Sequence, residues 1–459
     1  MQKADNVLDL IGNTPLLKVR RLDTGKCELF LKLENQNPGG SIKDRIALSM
    51  INAAEKEGKL KPGATLVEAT AGNTGLGLAL VAAQKGYKLI LVIPDKMSQE
   101  KISHLRALGT QIVVTRSDVE KGHPEYYQEM AERIAKETPG SFYVNQFSNP
   151  ANPVAHEKTT GPEIWEQMEH KVDAVVCGVG SGGTVTGLSR YFSGVSPETQ
   201  FVLADPAGSV LAGYIKDKTI GTAGSWFVEG IGEDFIPPIV DLSRVAKAYT
   251  ITDAESFAAA RDLLLSEGVL AGSSSGTLLA AALRFCRESD RPLRVVSIVP
   301  DSGNKYLSKM FNDYWMADHG FLRKAGYGDL RDLVGRPFHE GSVCSVKPAD
   351  TLLTAFMRMR LHEYAQLPVI EDGKVVGLLD ESDILLAVHK DAANYRRPVS
   401  GCITQNLVTV QPSASIEEIT AILGKGLAGL LYSEGKFYGL ITKVDLLNHL
   451  RRELLSRKG

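Results

Sequence analysis

The sequence predicts an α/β core followed by a smaller α+β module that is built from two repeats. Over the first two thirds of the chain, short runs that are apolar almost throughout alternate with longer helix-type segments. This alternation is typical of parallel strands that are covered by helices on both faces. Beyond about residue 337 the sequence repeats itself, which indicates a duplicated unit.

The composition is that of a soluble globular protein. The 459 residues are 43% hydrophobic and 23% charged, with a net charge of −2, which is enough chain for two or three domains. Such a charge gives no general attraction to nucleic acid or to an anionic membrane, and the apolar runs are too short to span a bilayer. The five cysteines lie far apart without metal-ligand spacing, and the polar N-terminus does not resemble a signal peptide. We therefore expect a cytoplasmic protein without a metal site.

The elements of the predicted core follow one another in a regular order. Strands are predicted where β-type apolar runs occur: Leu29–Leu33, Thr65–Glu68, Leu89–Ile93, Gln111–Thr115, Asp173–Cys177, Gln200–Ala204 and Arg294–Val299. Between the first four of these strands, helices are predicted at Ser41–Lys56, Gly75–Lys85 and Ser98–Leu108. The core is predicted to occupy residues 1–316, and a Gly-rich, charged connector is predicted at residues 317–336.

The two C-terminal repeats are predicted at about residues 337–396 and 397–459. The stretch Val346–Leu352 is echoed by Val410–Ile416, and Leu367–Asp383 is echoed by Leu430–Asp445. Each copy has a V-x-P start, a hairpin glycine, a G-L pair and a final aspartate. Four shared landmarks argue against chance similarity between two hairpins and predict a duplicated β-β-α unit.

The segment at residues 37–45 is the most informative in the chain. It reads Asn37-Pro-Gly-Gly-Ser-Ile-Lys-Asp-Arg45 and opens the first long helix. Gly39 and Gly40 free the backbone at a turn, and Ser41 is suited to cap the helix. Lys43 then lies at a helix N-terminus, where the dipole disfavours a cation and favours the neutral amine that Schiff-base chemistry needs. A lone lysine is usually a surface residue, so the case for Lys43 depends on the loops that follow.

Two further loops come between a strand and a helix, as cofactor loops do. Residues Glu68–Gly75 read E-A-T-A-G-N-T-G, and their backbone N–H groups and hydroxyls suit a carboxylate. Residues Gly178–Thr184 read G-V-G-S-G-G-T, and closely spaced glycines let backbone N–H groups approach a phosphate.

The second loop also matches the dinucleotide fingerprint G-x-G-x-x-G. Asp205 follows at the end of the next predicted strand, where a ribose-binding acid would lie. A nicotinamide-dependent oxidoreductase is therefore a genuine alternative. Against it, the loop comes after several earlier α/β units, and a dinucleotide site leaves the Lys43 and Asn73 loops unexplained.

Together these segments resemble the fold-type II pyridoxal-phosphate enzymes, and among them the cystathionine β-synthase and cysteine synthase group. The resemblance extends from Leu8 to about Tyr314 and includes I-G-N-T-P-L at residues 11–16, G-G-S-I-K-D-R at 39–45, G-N-T-G at 72–75 and G-S-G-G-T at 180–184. It implies a tryptophan synthase β-like fold with two α/β subdomains whose sheets are mostly parallel. It also implies pyridoxal 5′-phosphate as the cofactor.

The resemblance assigns a role to each motif. Lys43 would be the catalytic residue and would hold the cofactor as a Schiff base, while Asn73 would hydrogen-bond the ring hydroxyl. Ser274 would face the pyridine nitrogen, which leaves the ring a weaker electron sink and favours β-elimination over transamination. The phosphate would be bound by the five residues Gly180, Ser181, Gly182, Gly183 and Thr184.

The same resemblance places the substrate. The residues implied for substrate binding are Thr70, Ala71, Gly72, Thr74, Gln146, Glu229 and Gly230. The family's loop usually reads T-S-G-N-T, whereas this chain has Ala71 in place of the serine, so one hydroxyl contact is missing. The segment around Glu229, E-G-I-G, is more similar to cystathionine β-synthase than to cysteine synthase, although Glu229 is equally consistent with an ordinary loop acid.

The implied reaction is a lyase-type β-replacement that condenses L-serine with L-homocysteine to give L-cystathionine in the transsulfuration route of cysteine biosynthesis. Hydrogen sulfide-producing side reactions belong to the same chemistry. The alternative within the group is cysteine synthase, which uses O-acetylserine and sulfide. Because only ten residues precede Ile11, we expect no haem-binding extension and no haem.

The C-terminal module resembles a pair of CBS repeats, known as a Bateman module, which favours cystathionine β-synthase over cysteine synthase. Such pairs often bind adenosyl ligands through a Thr or Ser and an Asp three residues later, and Thr442 and Asp445 keep this pattern. The first copy has Asp380 and Asp383 and lacks the hydroxyl. The alternative is a module that only joins subunits in a homodimer or homotetramer.

Overall fold

The computed structural model divides the chain into an N-terminal unit, Met1–Phe311, and a C-terminal unit, Asn312–Gly459. It describes residues 3–456 except residues 71, 96–98, 117, 120–121, 323–325, 339–342, 363, 390 and 406. The N-terminal unit ends shortly before the predicted core boundary at residue 316.

The N-terminal unit contains two sheets, which confirms the predicted pair of mostly parallel α/β layers. The larger sheet has six strands in the order β1-β2-β10-β7-β8-β9, and only β1 runs antiparallel to its neighbour. Its strands are β1 (Leu16–Lys18), β2 (Glu28–Lys32), β7 (Ala174–Cys177), β8 (Gln200–Pro206), β9 (Val245–Ile251) and β10 (Arg294–Ile298). Strand β7 lies in the interior of this sheet, and all four of its residues are buried.

The smaller sheet has four parallel strands in the order β5-β4-β3-β6. They are β3 (Thr65–Ala69), β4 (Lys88–Pro94), β5 (Gln111–Thr115) and β6 (Ser141–Tyr143). The apolar run of β4 predicts a strand covered on both faces, and Leu91, Val92 and Ile93 are indeed fully buried. Each such side chain stabilises the fold by about 1.5–3 kcal/mol relative to exposure.

Helices cover both sheets. They are α1 (Lys43–Lys56), α2 (Asn73–Lys85), α3 (Gln99–Ala107), α4 (Tyr127–Glu137), α5 (Ala151–Ala155), α6 (Gly161–Gln167), α7 (Gly183–Val195), α8 (Leu211–Asp217), α9 (Asp253–Glu267) and α10 (Ser273–Arg287), with a π-helix at His156–Thr160. Their ends follow local signals. Helix α9 begins with a capping box between Thr252 and Glu255 and ends at Gly268 in the left-handed conformation.

Close packing of α1 against α2 sets the position of the first helix. A Cβ on Gly77 of α2 would lie 2.9 Å from the backbone oxygen of Lys43, so only glycine allows this approach. Ile46, Met50 and Ile51 of α1 are buried in the core shared with α2 and β4. The start of α1 is therefore held in place by the interior of the unit.

The C-terminal unit contains the two predicted repeats. Its elements are α11 (Asp313–Asp318), α12 (Leu352–His362), β11 (Gln366–Glu371), β12 (Lys374–Asp380), α13 (Glu381–Val388), β13 (Val408–Val410), α14 (Ile416–Gly424), β14 (Gly429–Ser433), β15 (Lys436–Ile441) and α15 (Lys443–Ser456). The two hairpins turn at Asp372-Gly373 and Glu434-Gly435, and all four residues have positive φ, as a type I′ turn requires. The same turn in both copies supports the duplication.

The predicted connector at residues 317–336 is only partly an open linker. A short 3₁₀ helix at Leu330–Leu333 packs with Val334 into the core of the second repeat, beside Val410 and Ile419. Two leucines three residues apart form too short a pattern for the sequence to predict a helical turn here. The end of the predicted connector thus belongs to the folded C-terminal unit.

Among the described residues, no helix combines the length and the apolar character that crossing a membrane requires. Within the same part of the chain, no cluster of three or more His, Cys, Asp or Glu side chains could hold a metal ion.

Candidate active site

Lys43 is the first residue of α1 and lines a cavity in the N-terminal unit. Its backbone N–H donates to Ser41 Oγ at 3.3 Å, so Ser41 contacts the start of the helix as predicted, although the helix begins at Lys43. Burial lowers the pKa of Lys43, while the negative charges of Asp301 and Glu233 oppose this shift. Desolvation is therefore the main reason why the neutral amine is favoured at this position.

The walls of this cavity come from five separate parts of the chain. Its lining residues are Ile42, Lys43, Cys177, Gly178, Gly180, Ser181, Gly182, Gly183, Thr184, Gly230, Ile231, Leu278, Ile298 and Pro300. The loop after β7 and the start of α7 thus lie beside the catalytic lysine that the sequence predicted.

The glycines of the β7–α7 loop are required by close contacts. Gly182 has φ +91°, and a Cβ on it would lie 2.6 Å from Val240 Cβ. A Cβ on Gly180 would lie 2.7 Å from the backbone oxygen of Gly230, and one on Gly183 would lie 1.8 Å from Asn152 Oδ1. Because α7 begins at Gly183, its first N–H groups are directed at the cavity, which suits an anion.

Two residues that the sequence analysis missed support this loop. Asn152 Nδ2 donates to Ser181 Oγ and to the backbone oxygen of Gln146, both at 2.9 Å. His156 Nε2 is 3.3 Å from Thr184 Oγ1, and burial keeps the pKa of His156 well below its usual value, so the ring is neutral. Both lie in the A-N-P-V-A-H segment, which has no motif spacing relative to the glycine loop.

Asn73 begins α2, and both ends of its amide are engaged. Its Nδ2 donates to Asp301 Oδ2 at 2.8 Å, and its Oδ1 accepts from Lys305 Nζ at 2.7 Å. Asp301 also accepts from Tyr306 Oη at 2.8 Å. Among the described residues, the second N–H of the Asn73 amide has no acceptor, which is what the predicted contact to a ring hydroxyl needs.

Ser274 lies in the first turn of α10 and is buried. Leu278, one turn further along the same face, lines the cavity, so the position of Ser274 is compatible with its predicted role. The neighbouring Ser273 Oγ accepts from the backbone N–H of Glu229 at 3.0 Å and joins this helix to the loop that carries Gly230.

The residues predicted to bind substrate form two groups. Thr74 Oγ1 donates to Gln146 Oε1 at 2.6 Å, and Thr70 Oγ1 accepts from the backbone N–H of Gly72 at 3.2 Å. These four residues are adjacent at the ends of β3 and β6. Ala71, the fifth residue predicted here, lies outside the described residues.

Glu229 forms an ion-paired cluster. Its carboxylate contacts Lys309 Nζ at 2.6 Å and is also bonded to Lys101 Nζ. Burial alone would raise the pKa of Glu229, but the two lysines hold it below its usual range. Glu229 is therefore an ionised anchor between α3 and the chain after α10.

Asp205 has a structural role that disfavours the dinucleotide alternative. Its Oδ2 accepts from the backbone N–H of Ala212 at 2.8 Å, and the side chain is buried at the start of α8. Burial raises the pKa of Asp205 to about 6. A buried acid that is bonded to its own loop is not presented to a ribose.

The predicted regulatory residues lie in the C-terminal unit at the start of α15. Asp445 Oδ2 accepts from Thr442 N at 2.8 Å and from Thr442 Oγ1 at 2.5 Å. In the first repeat, Asp383 and Asp380 form a capping box in the corresponding position. The two copies therefore share one backbone arrangement and differ by the hydroxyl of Thr442.

The cavity fits pyridoxal phosphate. It combines a buried lysine amine with a glycine loop and a helix N-terminus that match a phosphate, and Asn73 keeps an available N–H. Asn152 Oδ1 is buried beside Gly183 and accepts no hydrogen bond from the described residues. Lys43, the loop at residues 180–184, Asn73 and Ser274 are the groups that would hold the cofactor.

Comparisons with known proteins agree with this arrangement. The family model "Pyridoxal-phosphate dependent enzyme" matches residues 7–301, and the "CBS domain" model matches residues 331–390 and 399–452. The chain is 36% identical to the cystathionine beta-synthase of Apis mellifera, over 97% of this chain and 91% of that protein. It is 46% identical to cysteine synthase A of Escherichia coli, over 66% of this chain and 94% of that protein.

A solved structure resembles the N-terminal unit in particular. The O-acetylserine dependent cystathionine beta-synthase from Helicobacter pylori superposes with a TM-score of 0.63 at 37% identity, over 67% of this chain and 99% of that chain. The fold, the cavity and the relatives agree, and the chain is therefore a pyridoxal-phosphate dependent lyase that belongs to the cystathionine β-synthase family.

Proposed function

We propose that this enzyme condenses L-serine with L-homocysteine to L-cystathionine. The observation that carries the proposal is the buried Lys43 amine beside the glycine loop, in a chain that resembles a cystathionine beta-synthase over 97% of its length. The similarity to cysteine synthase A covers only 66% of the chain and does not account for the two repeats.

Each group of the site has a task in this reaction. Pyridoxal phosphate, when bound, supplies an electron-poor ring that stabilises negative charge at the substrate Cα. Lys43 removes the Cα proton and later returns it, which requires the neutral amine that burial favours. The loop at residues 180–184 holds the phosphate, and Ser274 faces the ring nitrogen. The substrate carboxylate is bound by Thr70, Gly72, Thr74 and Gln146, while Gly230 lines the cavity and the neighbouring Glu229 is held by two lysines.

A second candidate function is the use of O-acetylserine in place of serine, with sulfide as in cysteine synthase or with homocysteine. Three observations favour it. The identity to cysteine synthase A over the N-terminal unit is the higher of the two reported, and the structural neighbour from Helicobacter pylori is O-acetylserine dependent. Ala71 also removes the hydroxyl that the family's loop usually offers.

Product analysis separates these functions. The purified protein, loaded with pyridoxal phosphate, is given serine with homocysteine, O-acetylserine with homocysteine, or O-acetylserine with sulfide. We expect cystathionine from the first pair at a rate well above cysteine from the third. K43A, which lacks the amine, should lose activity with every pair, while its melting temperature reports whether the fold is kept. Cysteine as the dominant product would replace the first proposal by the second.

We also propose that the second repeat binds an adenosyl ligand such as S-adenosylmethionine. Thr442 and Asp445 offer a hydroxyl and a carboxylate at the start of α15, whereas the first repeat lacks the hydroxyl. Calorimetric titration with S-adenosylmethionine should give one site per chain, and T442V should weaken it. Absence of heat, with unchanged activity, would refute this role.

We propose in addition that the protein forms a homodimer or homotetramer in the cytoplasm. Large apolar side chains are exposed on the helices of the C-terminal unit, for example Leu361 (77%), Leu386 (74%) and Leu447 (65%). Such surfaces usually mark contacts with another chain. All five cysteines are unpaired, which suits a reducing compartment. Light scattering after gel filtration gives the number of subunits directly.

A further inference from the structure

Glu233 is a partly buried acid close to the glycine loop of the cavity. It follows Gly230 and Ile231, which line the cavity. Its backbone N–H donates to Ser209 Oγ at 3.1 Å, and its backbone oxygen accepts from Val210 N at 3.0 Å. The residue is thus fixed in a loop that runs along the phosphate-binding segment.

The side chain of Glu233 lies beside Gly180 of the glycine loop. Its Oε1 is 4.0 Å from the position that a Cβ on Gly180 would occupy, and its charge acts on Lys43. The carboxyl group forms no hydrogen bond with any residue in the described ranges. It is consequently available to a molecule that enters the cavity between Lys43 and Gly180.

The surroundings of Glu233 favour its protonated form. Burial raises its pKa well above the usual value, Asp234 and Asp205 raise it further, and Lys43 acts in the opposite direction. Tyr126 and Tyr127 are the other titratable groups on which its charge acts. Glu229, four residues earlier, differs because two lysines keep it ionised. Of these two acids, only Glu233 is suited to donate a proton.

We propose that Glu233 is a second catalytic acid, which protonates the leaving hydroxyl of serine and then accepts the proton of the incoming thiol. The inference rests on the proposed function. Lys43 takes the Cα proton, and the electron pair of that bond becomes the second Cα–Cβ bond. The Cβ–O bond breaks, and the oxygen leaves as water with the proton of Glu233. The thiol then adds to Cβ and gives its proton to Glu233, and Lys43 returns its proton to Cα, so that serine and homocysteine give cystathionine and water.

The test compares two leaving groups in the first half of the reaction. The holoenzyme is mixed in a stopped-flow instrument with serine alone or with O-acetylserine alone, and the visible absorbance of the cofactor is followed. Hydroxide requires a proton donor to leave, whereas acetate does not. E233Q should therefore slow the serine reaction about 100-fold and the O-acetylserine reaction less than about 3-fold. D217N, which removes an exposed charge at the end of α8, is the matched control and should resemble the wild type.

The pH profile gives a second readout. In the wild type, the rate of the reaction with serine should fall as the pH rises through the pKa of Glu233. In E233Q this decrease of the rate with pH should be absent. Equal slowing with both substrates would show that Glu233 only positions the loop and would overturn the inference, as would an unchanged rate with serine. Wild-type enzyme that reacts with O-acetylserine but not with serine would refute the proposed function itself, before any variant is compared.

Discussion

The substitution of Gly183 by alanine is a direct test of the proposed phosphate-binding loop at residues 180–184. The added Cβ would lie 1.8 Å from Asn152 Oδ1 and 2.6 Å from its Cγ, so the asparagine must move. Asn152 would then lose its hydrogen bonds to Ser181 Oγ and to the oxygen of Gln146, both 2.9 Å long. Overpacking of this kind costs about 1–3 kcal/mol, and each buried group left unsatisfied costs about 1–3 kcal/mol. We expect a total of about 3 kcal/mol, which corresponds to a fall of roughly 6 °C in melting temperature.

The matched control is Gly194→Ala in the same helix. No atom lies within 4 Å of a Cβ at Gly194, and alanine in a helix is about 0.5–1 kcal/mol more favourable than glycine. Calorimetric melting and titration with pyridoxal phosphate, followed by absorbance, are measured for both variants. G183A should bind the cofactor at least about 10-fold more weakly, since 1.4 kcal/mol of the cost suffices for that factor. If G183A and G194A have the same melting temperature and the same affinity for pyridoxal phosphate, the loop at residues 180–184 does not require glycine at position 183, and the prediction is wrong.

Three further predictions concern buried charges in the N-terminal unit. R45M should lower the free energy of unfolding, measured in urea, by about 3–5 kcal/mol, because the buried carboxylate of Glu34 loses its cation. A decrease of less than about 1 kcal/mol would contradict this prediction. The Arg45 guanidinium also helps to lower the pKa of Glu163 from 4.5 to about 2. The ionised Glu163 therefore stabilises the fold fully above pH 4.5, and this stabilisation is lost as the pH falls toward 2. In E163Q the free energy of unfolding should consequently depend less on pH between 4.5 and 2. E229Q should destabilise the unit by about 3 kcal/mol, since Lys101, whose side chain is 2% exposed, loses an ionic contact, whereas E57Q, from an exposed pair, should cost less than about 0.5 kcal/mol.

Much of the fold follows from local pattern in the sequence. The strand β4 could be predicted because strands buried on both faces need uniform apolar residues. Strand β9, which was missed, alternates apolar and polar residues at an edge of the large sheet, and β1 and β6 have only three residues each. Short or edge strands are defined by their neighbours, which a single sequence does not reveal.

The site divides in the same way. Lys43 and the loop at residues 180–184 could be recognised because glycines and a helix start are needed at fixed spacing in the chain. Asn152, Asp301 and Glu233 could not, since they reach the cavity from distant segments and carry no motif of their own. Burial is the main cause of the lowered pKa of Lys43, and a single sequence does not reveal that burial.

The most direct test of the central claim is product formation by the holoenzyme with serine and homocysteine, compared with K43A and with O-acetylserine plus sulfide. The account predicts cystathionine as the main product, at a rate well above that of cysteine, and no product from K43A. Cysteine formation that clearly exceeds cystathionine formation would contradict the assigned substrates, and full activity of K43A would contradict the site.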